Sequence, residues 1–228
     1  MNIRRVNVDE LDTLMLWRME VLHEVFADSE NVDWEALEAA NREYYKQEIT
    51  RGGHIACLYD DEIGCGGLCL YNEMPSPENP SGRCAYLMNI YVRPQYRCNG
   101  YGMEIVSWLV NQAKAQGITK IYLESSEDGK GVYQKLGFKE MMDYYEERAI
   151  GGAGLIITEI TRVDDFSGAS AFAQLAISHD YHIKPLAEMI SRVHSHGCKM
   201  FIQLHHPGRQ NLGLLMGTVP VSIGAERI

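Results

Sequence analysis

The sequence lacks several features that would place it in a specialised class of protein. No run of about 18 apolar residues is present to form a membrane-spanning helix, and the first residues contain no apolar signal segment. The six cysteines form no paired motif, which excludes a disulfide framework and favours reduced thiols. Positive charge is also scarce, since 21 Lys and Arg face 31 Asp and Glu, for a net charge of −10. We therefore expect a cytoplasmic protein that binds neither membranes nor nucleic acid.

The most informative stretch of the chain lies between residues 86 and 102. Tyr86 to Val92 is apolar and aromatic, which is typical of a buried strand. Pro94 ends the strand because it has no backbone N–H to donate. Residues 97–102 read Arg-Cys-Asn-Gly-Tyr-Gly, and a helical pattern follows from Met103 to Gln116. A strand, a glycine-bearing turn and a helix N-terminus direct several N–H groups to one place, which suits a phosphate or pyrophosphate.

This stretch resembles the acetyl-CoA pyrophosphate loop of the GNAT superfamily of N-acetyltransferases. The resemblance rests on Arg-x-x-Gly-x-Gly after Val-x-Pro at a strand end, and on the later Tyr133-Gln-Lys-Leu-Gly-Phe138. It implies an α/β (α+β) fold, the GNAT acyltransferase fold, with a mixed, mostly antiparallel and splayed sheet. We expect residues 1–146 to form this acetyltransferase domain.

The resemblance also implies a reaction and a set of site residues. A primary amine, on a small molecule or a peptide, would attack acetyl-CoA directly. Tyr133 would protonate the departing thiolate, and Glu124 at a strand end is the candidate base for the amine. Amides near a bulge in the central strand would bind the acetyl carbonyl. The predicted cofactor-binding residues are Ile90, Tyr91, Val92, Arg97, Cys98, Asn99, Gly100, Tyr101 and Gly102. Relatives of this kind are often dimers, so a homodimer is compatible.

Two positions of the loop depart from the family pattern. Cys98 stands where glycine is usual, and Asn99 stands where a basic residue is common. A side chain at position 98 is tolerable if φ there is negative. Losing a cation at position 99 should weaken the attraction for phosphate.

Other segments have simpler interpretations. Two amphipathic helices precede the first hairpin, and the acids between and within them (Asp28, Glu30, Asp33 and Glu35) attract a cationic amine or simply favour a helix start. Gly64, Gly66 and Gly67 predict a bend or bulge in the second hairpin strand. A short helix is predicted from Val132 to Leu136, and residues 137–145 are predicted to be the last strand of the sheet.

The chain changes character after about residue 146. A buried strand, an amphipathic helix and another buried strand predict a parallel βαβ unit. Residues 148–159 and 201–209 closely resemble the flavin-dependent Old Yellow Enzyme group of enoate reductases, where they belong to the second and third βα units of an eight-stranded barrel. Residues 147–228 are thus expected to be a partial flavin-oxidoreductase-like fragment, an incomplete βαβ piece of a TIM barrel.

An alternative function follows from this second resemblance. It implies FMN-dependent NAD(P)H oxidoreductase activity of the enoate reductase kind, with Gln203 against the flavin; FMN is expected only under that interpretation. The fragment lacks most of a barrel, so we expect this activity to be incomplete. Four late histidines (His194, His196, His205 and His206) lack supporting carboxylate or Cys spacing, and no metal site is predicted.

Overall fold

The computed structural model describes residues 3–27, 32–165, 168, 170 and 174–208, with only the backbone of residue 127. The chain divides into two compact units, Met1–Leu136 and Gly137–Ile228, which we call the first and second units. Of the helices in these described ranges, none is long and apolar enough to cross a membrane.

The first unit is built on a five-stranded sheet with the order β1-β2-β3-β4-β5. Neighbouring strands from β1 to β4 are antiparallel, and β4 and β5 are parallel. The mixed, mostly antiparallel sheet expected from the sequence is therefore confirmed. Its strands are β1 (Ile3–Val6), β2 (His54–Tyr59), β3 (Gly64–Asn72), β4 (Arg83–Val92) and β5 (Lys120–Leu123). Its helices are α1 (Leu11–Val25), α2 (Trp34–Thr50), α3 (Tyr101–Ala115) and α4 (Glu127–Lys135).

Helices cover both faces of this sheet. On one face, Leu14, Met15 and Trp17 of α1 join a buried cluster with side chains of β2 to β4. On the other face, Ile105 and Leu109 of α3 are fully buried. A side chain at Gly66 would lie 2.6 Å from Ile105 Cγ2, so α3 packs directly on the backbone of β3. The close approach explains the glycines that the sequence places in this strand.

The prediction of a last strand at residues 137–145 is wrong, because this segment enters a helix, α5 (Met141–Ile150). Glu140 caps the helix, and its backbone N–H donates to the Asp143 carboxylate 3.3 Å away. Tyr145 and Ala149, four residues apart, bury one face of it. Local capping and helical spacing thus outweigh the apolar start of the segment. The predicted short helix is also longer, since α4 starts at Glu127, with Ser126 as its cap.

The second unit contains α5, β6 (Leu155–Arg162), α6 (Ile183–Ser195) and β7 (Lys199–His205). β6 and β7 form a two-stranded parallel sheet, which confirms the βαβ prediction. Its core contains Tyr145, Ile156, Leu186, Val193 and Met200. The assignment of this unit to a piece of a TIM barrel stays a prediction, as does a junction at residues 146 and 147, which fall within α5.

Candidate functional site

β4 and β5 separate at one end of the sheet. Their pairing ends at Leu87 and Leu123, whereas β4 continues to Val92. The Arg93 N–H donates to Ile63 O beside β3, and the neighbouring Val92 carbonyl accepts from Arg97 Nε. Because backbone groups alternate along a strand, the amides of Val92 and Ile90 face the open edge and that of Tyr91 faces β3. The splayed edge expected from the sequence is therefore present.

A bulge in β4 lies beside this edge. The β3–β4 register shifts between Cys65 and Gly67, and Asn89 has a φ of 55°. Asparagine tolerates this left-handed conformation better than most residues do. The Asn89 carbonyl accepts a weak bond from Cys65 Sγ at 3.6 Å. The bulge turns the strand just before Ile90 and so directs the amides that follow it.

The turn after β4 supplies the predicted pyrophosphate loop. Cys98 has a φ of 62° and Gly100 a φ of 87°, and α3 begins at Tyr101. The condition of a negative φ at position 98 is therefore not met, and this exposed cysteine occupies a conformation that favours glycine. A side chain at Gly100 would meet no protein atom within 4 Å, so the space in front of it is open. Asn99 stabilises the turn, with Nδ2 donating to Tyr96 O and Arg97 O.

The positive charge of Arg97 is partly compensated by a carboxylate that the sequence does not reveal. Its guanidinium forms an ion pair with Glu24 of α1, and Nε donates to Val92 O at 2.9 Å. The Tyr91 hydroxyl donates to the same glutamate at 2.6 Å. These hydrogen bonds, first from Tyr91 and then from Arg97, lower the pKa of Glu24. Sequence reasoning missed Glu24 because no local pattern links two residues so far apart in the chain.

The two candidate catalytic side chains differ in environment. Tyr133 lies half-buried on α4, where burial raises the pKa of its hydroxyl. Glu124 is exposed and follows β5, where pairing with β4 has just ended. A tyrosine that stays protonated suits a proton donor, and an exposed carboxylate suits a base that exchanges protons with water.

One more residue beside the bulge was not anticipated. Arg18 of α1 donates from Nη1 to Asn89 Oδ1 at 2.7 Å and from Nε to Asn41 Oδ1 at 2.8 Å. It connects α1, α2 and β4 on the face of the sheet that α1 and α2 cover. Nothing near residue 18 in the sequence indicates this position.

The remaining candidates are less specific. Asp28 and Glu30 lie outside the described residues, while the Asp33 side chain accepts from Ala36 N at 3.0 Å and caps α2. In the described ranges, no group of three or more His, Cys, Asp or Glu could hold a metal ion. His196 contacts Glu146 at 3.2 Å, which gives this histidine a structural partner.

Gln203, the residue expected to contact a flavin, lies on an exposed part of β7. Gln203 is exposed on β7, and its backbone N–H donates to Thr158 Oγ1 at 3.0 Å. The exposed apolar side chains Leu155, Ile157 and Phe201 lie on the same two strands. Around Gln203 the described residues thus form an exposed surface, which does not fit the largely enclosed site that the ring of FMN requires.

Comparison with known proteins separates the two ends of the chain. Residues 122–214 match the NADH:flavin oxidoreductase / NADH oxidase family. The chain is 41% identical over 99 residues to an NADH oxidase of Thermoanaerobacter brockii, covering 43% of this chain and 14% of that protein. It is 45% identical over 69 residues to an NADPH dehydrogenase of Halalkalibacterium halodurans, covering 30% of this chain and 20% of that protein. The chain therefore spans a fifth or less of these relatives.

The first part of the chain matches a different family, and the two matches overlap at residues 122–138. A predicted acetyltransferase from Clostridium acetobutylicum, solved with acetyl-CoA, superposes with a TM-score of 0.55 at 25% identity, covering 61% of this chain and 90% of that one. The model of the acetyltransferase (GNAT) family matches residues 19–138, more than half of the chain. That range includes the splayed edge, the bulge, the loop at residues 97–102 and Tyr133. The chain belongs to the acetyltransferase (GNAT) family.

Proposed function

We propose that the protein transfers an acetyl group from acetyl-CoA to a primary amine by direct attack. The observation that carries the proposal is the continuous path from the bulge at Asn89, through the open-edge amides of Ile90 and Val92, to the turn at Gly100 and the start of α3. Membership of the acetyltransferase family supports acyl transfer in general. Acetyl-CoA, the amine and the roles of individual residues are the proposed part.

In this reaction the amine nitrogen attacks the carbonyl carbon of the thioester. A C–N bond forms, and the C–S bond to CoA breaks. Glu124 removes a proton from the amine, while the amides of Ile90 and Val92 bind the oxygen that gains negative charge. Tyr133 donates a proton to the CoA sulfur and regains one from water. The amides of residues 98–102 and the N-terminus of α3 bind the pyrophosphate.

We also propose that residues 1–146 form the acetyltransferase domain and that residues 147–228 are a partial oxidoreductase-like fragment in the same chain. The cytoplasm suits this protein, since all six of its cysteines are free thiols. Because the described residues of the second unit do not fit FMN, we derive no catalytic step through a flavin.

Acetyl-CoA binding is the first test, measured as thermal unfolding of the full chain with and without the ligand. At about a hundred times its Kd, acetyl-CoA should stabilise the wild-type protein by about 2.7 kcal/mol. The variant Gly100→Val should lose this stabilisation, because its side chain enters the open space in front of the turn. A wild-type protein that acetyl-CoA does not stabilise contradicts the proposed function.

Gly117→Val is the matched control for this variant. Gly117 follows the other end of α3, has a φ of 74°, and also has open space around it. Both substitutions force a side chain into the left-handed region, at about 1–2 kcal/mol. Only Gly100→Val should abolish the response to acetyl-CoA. Equal loss in both variants would mean that backbone strain, rather than the loop, is responsible.

The role of Tyr133 predicts a kinetic effect without a binding effect. Tyr133→Phe should keep the acetyl-CoA stabilisation and lower kcat by about a hundredfold or more, as expected for loss of a general acid. Tyr45→Phe removes a hydroxyl from the core of the same unit and should leave kcat within about twofold. The check is the rate of CoA thiol release; an unchanged rate in Tyr133→Phe removes it from the mechanism.

A further inference from the structure

Arg18 differs from other half-buried arginines of the first unit. Arg4, Arg42 and Arg93 each form an ion pair with an Asp or Glu. Arg18 forms none within the described ranges, and both of its hydrogen-bond acceptors are neutral amide oxygens of asparagine. A partly buried positive charge without a carboxylate is unfavourable unless another group compensates it.

The contacts of Arg18 fix its guanidinium and leave part of it available. Nε is held by Asn41 and one N–H of Nη1 by Asn89, at 2.8 and 2.7 Å. Asn41 is itself oriented by a hydrogen bond from its Nδ2 to Leu37 O at 2.8 Å. Nη2 donates to no acceptor in the described part of the chain. Nη1 and Nη2 together therefore present free N–H donors on adjacent nitrogens, which can bind two oxygen atoms at once.

The position of this arginine relates it to the proposed reaction. Asn89, which receives Nη1, is the bulged residue directly before Ile90, and the amide of Ile90 faces the open edge. On the same face of the sheet, the positive charge of Arg18 acts on His54, Tyr45 and Cys65. A molecule bound at the open edge beside Asn89 would therefore lie close to the guanidinium of Arg18.

We infer that Arg18 binds a carboxylate group carried by the acceptor amine. The inference rests on the proposed acetyl transfer and adds the class of acceptor to it: a primary amine with a carboxylate, of which an amino acid is the simplest form. The bound carboxylate would supply the negative charge that compensates the guanidinium of Arg18, since both of its hydrogen-bond acceptors in the protein are neutral. It would also hold the amine at the edge where the acetyl group is proposed to lie.

A carboxylate matches the site better than a phosphate. The other arginine close to this end of β4 is Arg93. It donates to both carboxylate oxygens of Glu20 at 2.8 Å and lies over the Trp17 ring. Of these two arginines, Arg18 is therefore the one that lacks a carboxylate partner among the described residues, and one positive charge balances one carboxylate. A phosphate carries up to about two negative charges at neutral pH and would leave one of them uncompensated.

The experiment compares acceptors that differ only in the acidic group. CoA release by the full chain is measured with the common α-amino acids, their carboxamides and their aminophosphonate analogues, and with polyamines and aminoglycosides. For each amine that reacts, the ratio of kcat/KM for the carboxylate to that for its carboxamide is determined. Comparing this ratio between protein variants cancels the intrinsic reactivity of each amine.

Two variants remove the free charge in different ways. Arg18→Met deletes the cation, and Asn41→Asp places a carboxylate against Nε with almost no change of shape. Both should lower the carboxylate-to-carboxamide ratio by about tenfold to a hundredfold, through KM, while acetyl-CoA binding persists. Arg83→Met is the control, because Arg83 also lacks a carboxylate partner in the described part of the chain but is exposed and donates to Gln116 O. The ratio should not change in this variant.

The outcomes separate this inference from the proposed function. If acetyl-CoA fails to bind to the wild-type protein, the proposed function fails first. If acetyl-CoA binds but the preferred amines carry no carboxylate, or the ratio is unchanged in Arg18→Met and Asn41→Asp, the role of Arg18 is overturned. A preference for aminophosphonates that depends on Arg18 would also overturn it, in favour of a phosphate-bearing acceptor.

Discussion

The two sheets of this protein differ in how many of their faces are covered. In the first unit, α1 and α2 cover one face of the sheet and α3 covers the other, so that β2 is buried along its whole length. In the second unit, Ile156 and Met200 face a core while Ile157 and Phe201 are 59% and 60% exposed. The same kind of apolar strand thus has two different environments in one chain.

This contrast shows that the hydrophobic pattern of a strand does not by itself determine how many of its faces are covered. The continuous apolar run Leu155-Ile156-Ile157 is typical of a parallel strand buried on both faces. In the described part of the second unit, only one face has a covering layer. The run therefore fits a larger architecture than these residues build, in agreement with the small share of the oxidoreductase relatives that the chain spans. Exposed apolar side chains of this kind favour association.

The largest effect that tests this comparison is expected from core truncation. Leu109→Ala in α3 removes a fully buried side chain and should lower the free energy of unfolding of the first unit by about 2–5 kcal/mol. Phe201→Ala in β7 removes a larger side chain that is 60% exposed, and should change stability by less than about 1 kcal/mol. Chemical denaturation of the full chain measures both.

Repeating the denaturation with acetyl-CoA identifies which unfolding transition belongs to the first unit, since only that transition should shift when the ligand is added. A cost of several kcal/mol for Phe201→Ala would show that the exposed face of the second unit is covered in solution. The contrast between the two sheets would then be wrong, and the aggregation state of the protein would be the next quantity to measure.

The sequence predicted the first unit well because its signals are local. Asp33 as a cap and the strand-turn-helix around Gly100 each involve neighbouring residues, whereas the bulge that the glycines of β3 suggest has its extra residue in β4. The prediction of a strand at residues 137–145 is wrong because the cap at Glu140 begins a helix there and helical spacing buries Tyr145 and Ala149 on one face. The pairs Arg97–Glu24 and Arg18–Asn89 join residues more than 70 positions apart, and such contacts leave no periodic pattern in a sequence.

A smaller and pH-dependent effect should also distinguish the units. His54 of β2 is 1% exposed, with Nδ1 3.2 Å from the Tyr44 hydroxyl, and its Nε2 has no hydrogen-bond partner among the described residues. Burial, reinforced by the positive charges of Arg18 and Arg5, lowers the pKa of His54 to about 3. The folded protein therefore keeps this histidine neutral, whereas the unfolded chain takes up a proton near pH 6.5.

The sign of the pH dependence follows from this difference in proton uptake. Above about pH 6.5 neither state binds the proton, and His54 leaves stability unchanged. As the pH falls from about 6.5 towards 3, the unfolded state is favoured by up to about 1.4 kcal/mol per pH unit. We expect this slope between pH 6.5 and 5 in the transition that Leu109→Ala shifts. The interval lies above the range in which the lowered pKa values of Glu20 and Glu24 matter. His54→Asn should abolish the slope, and a slope that persists in this variant would assign the acid sensitivity to another group.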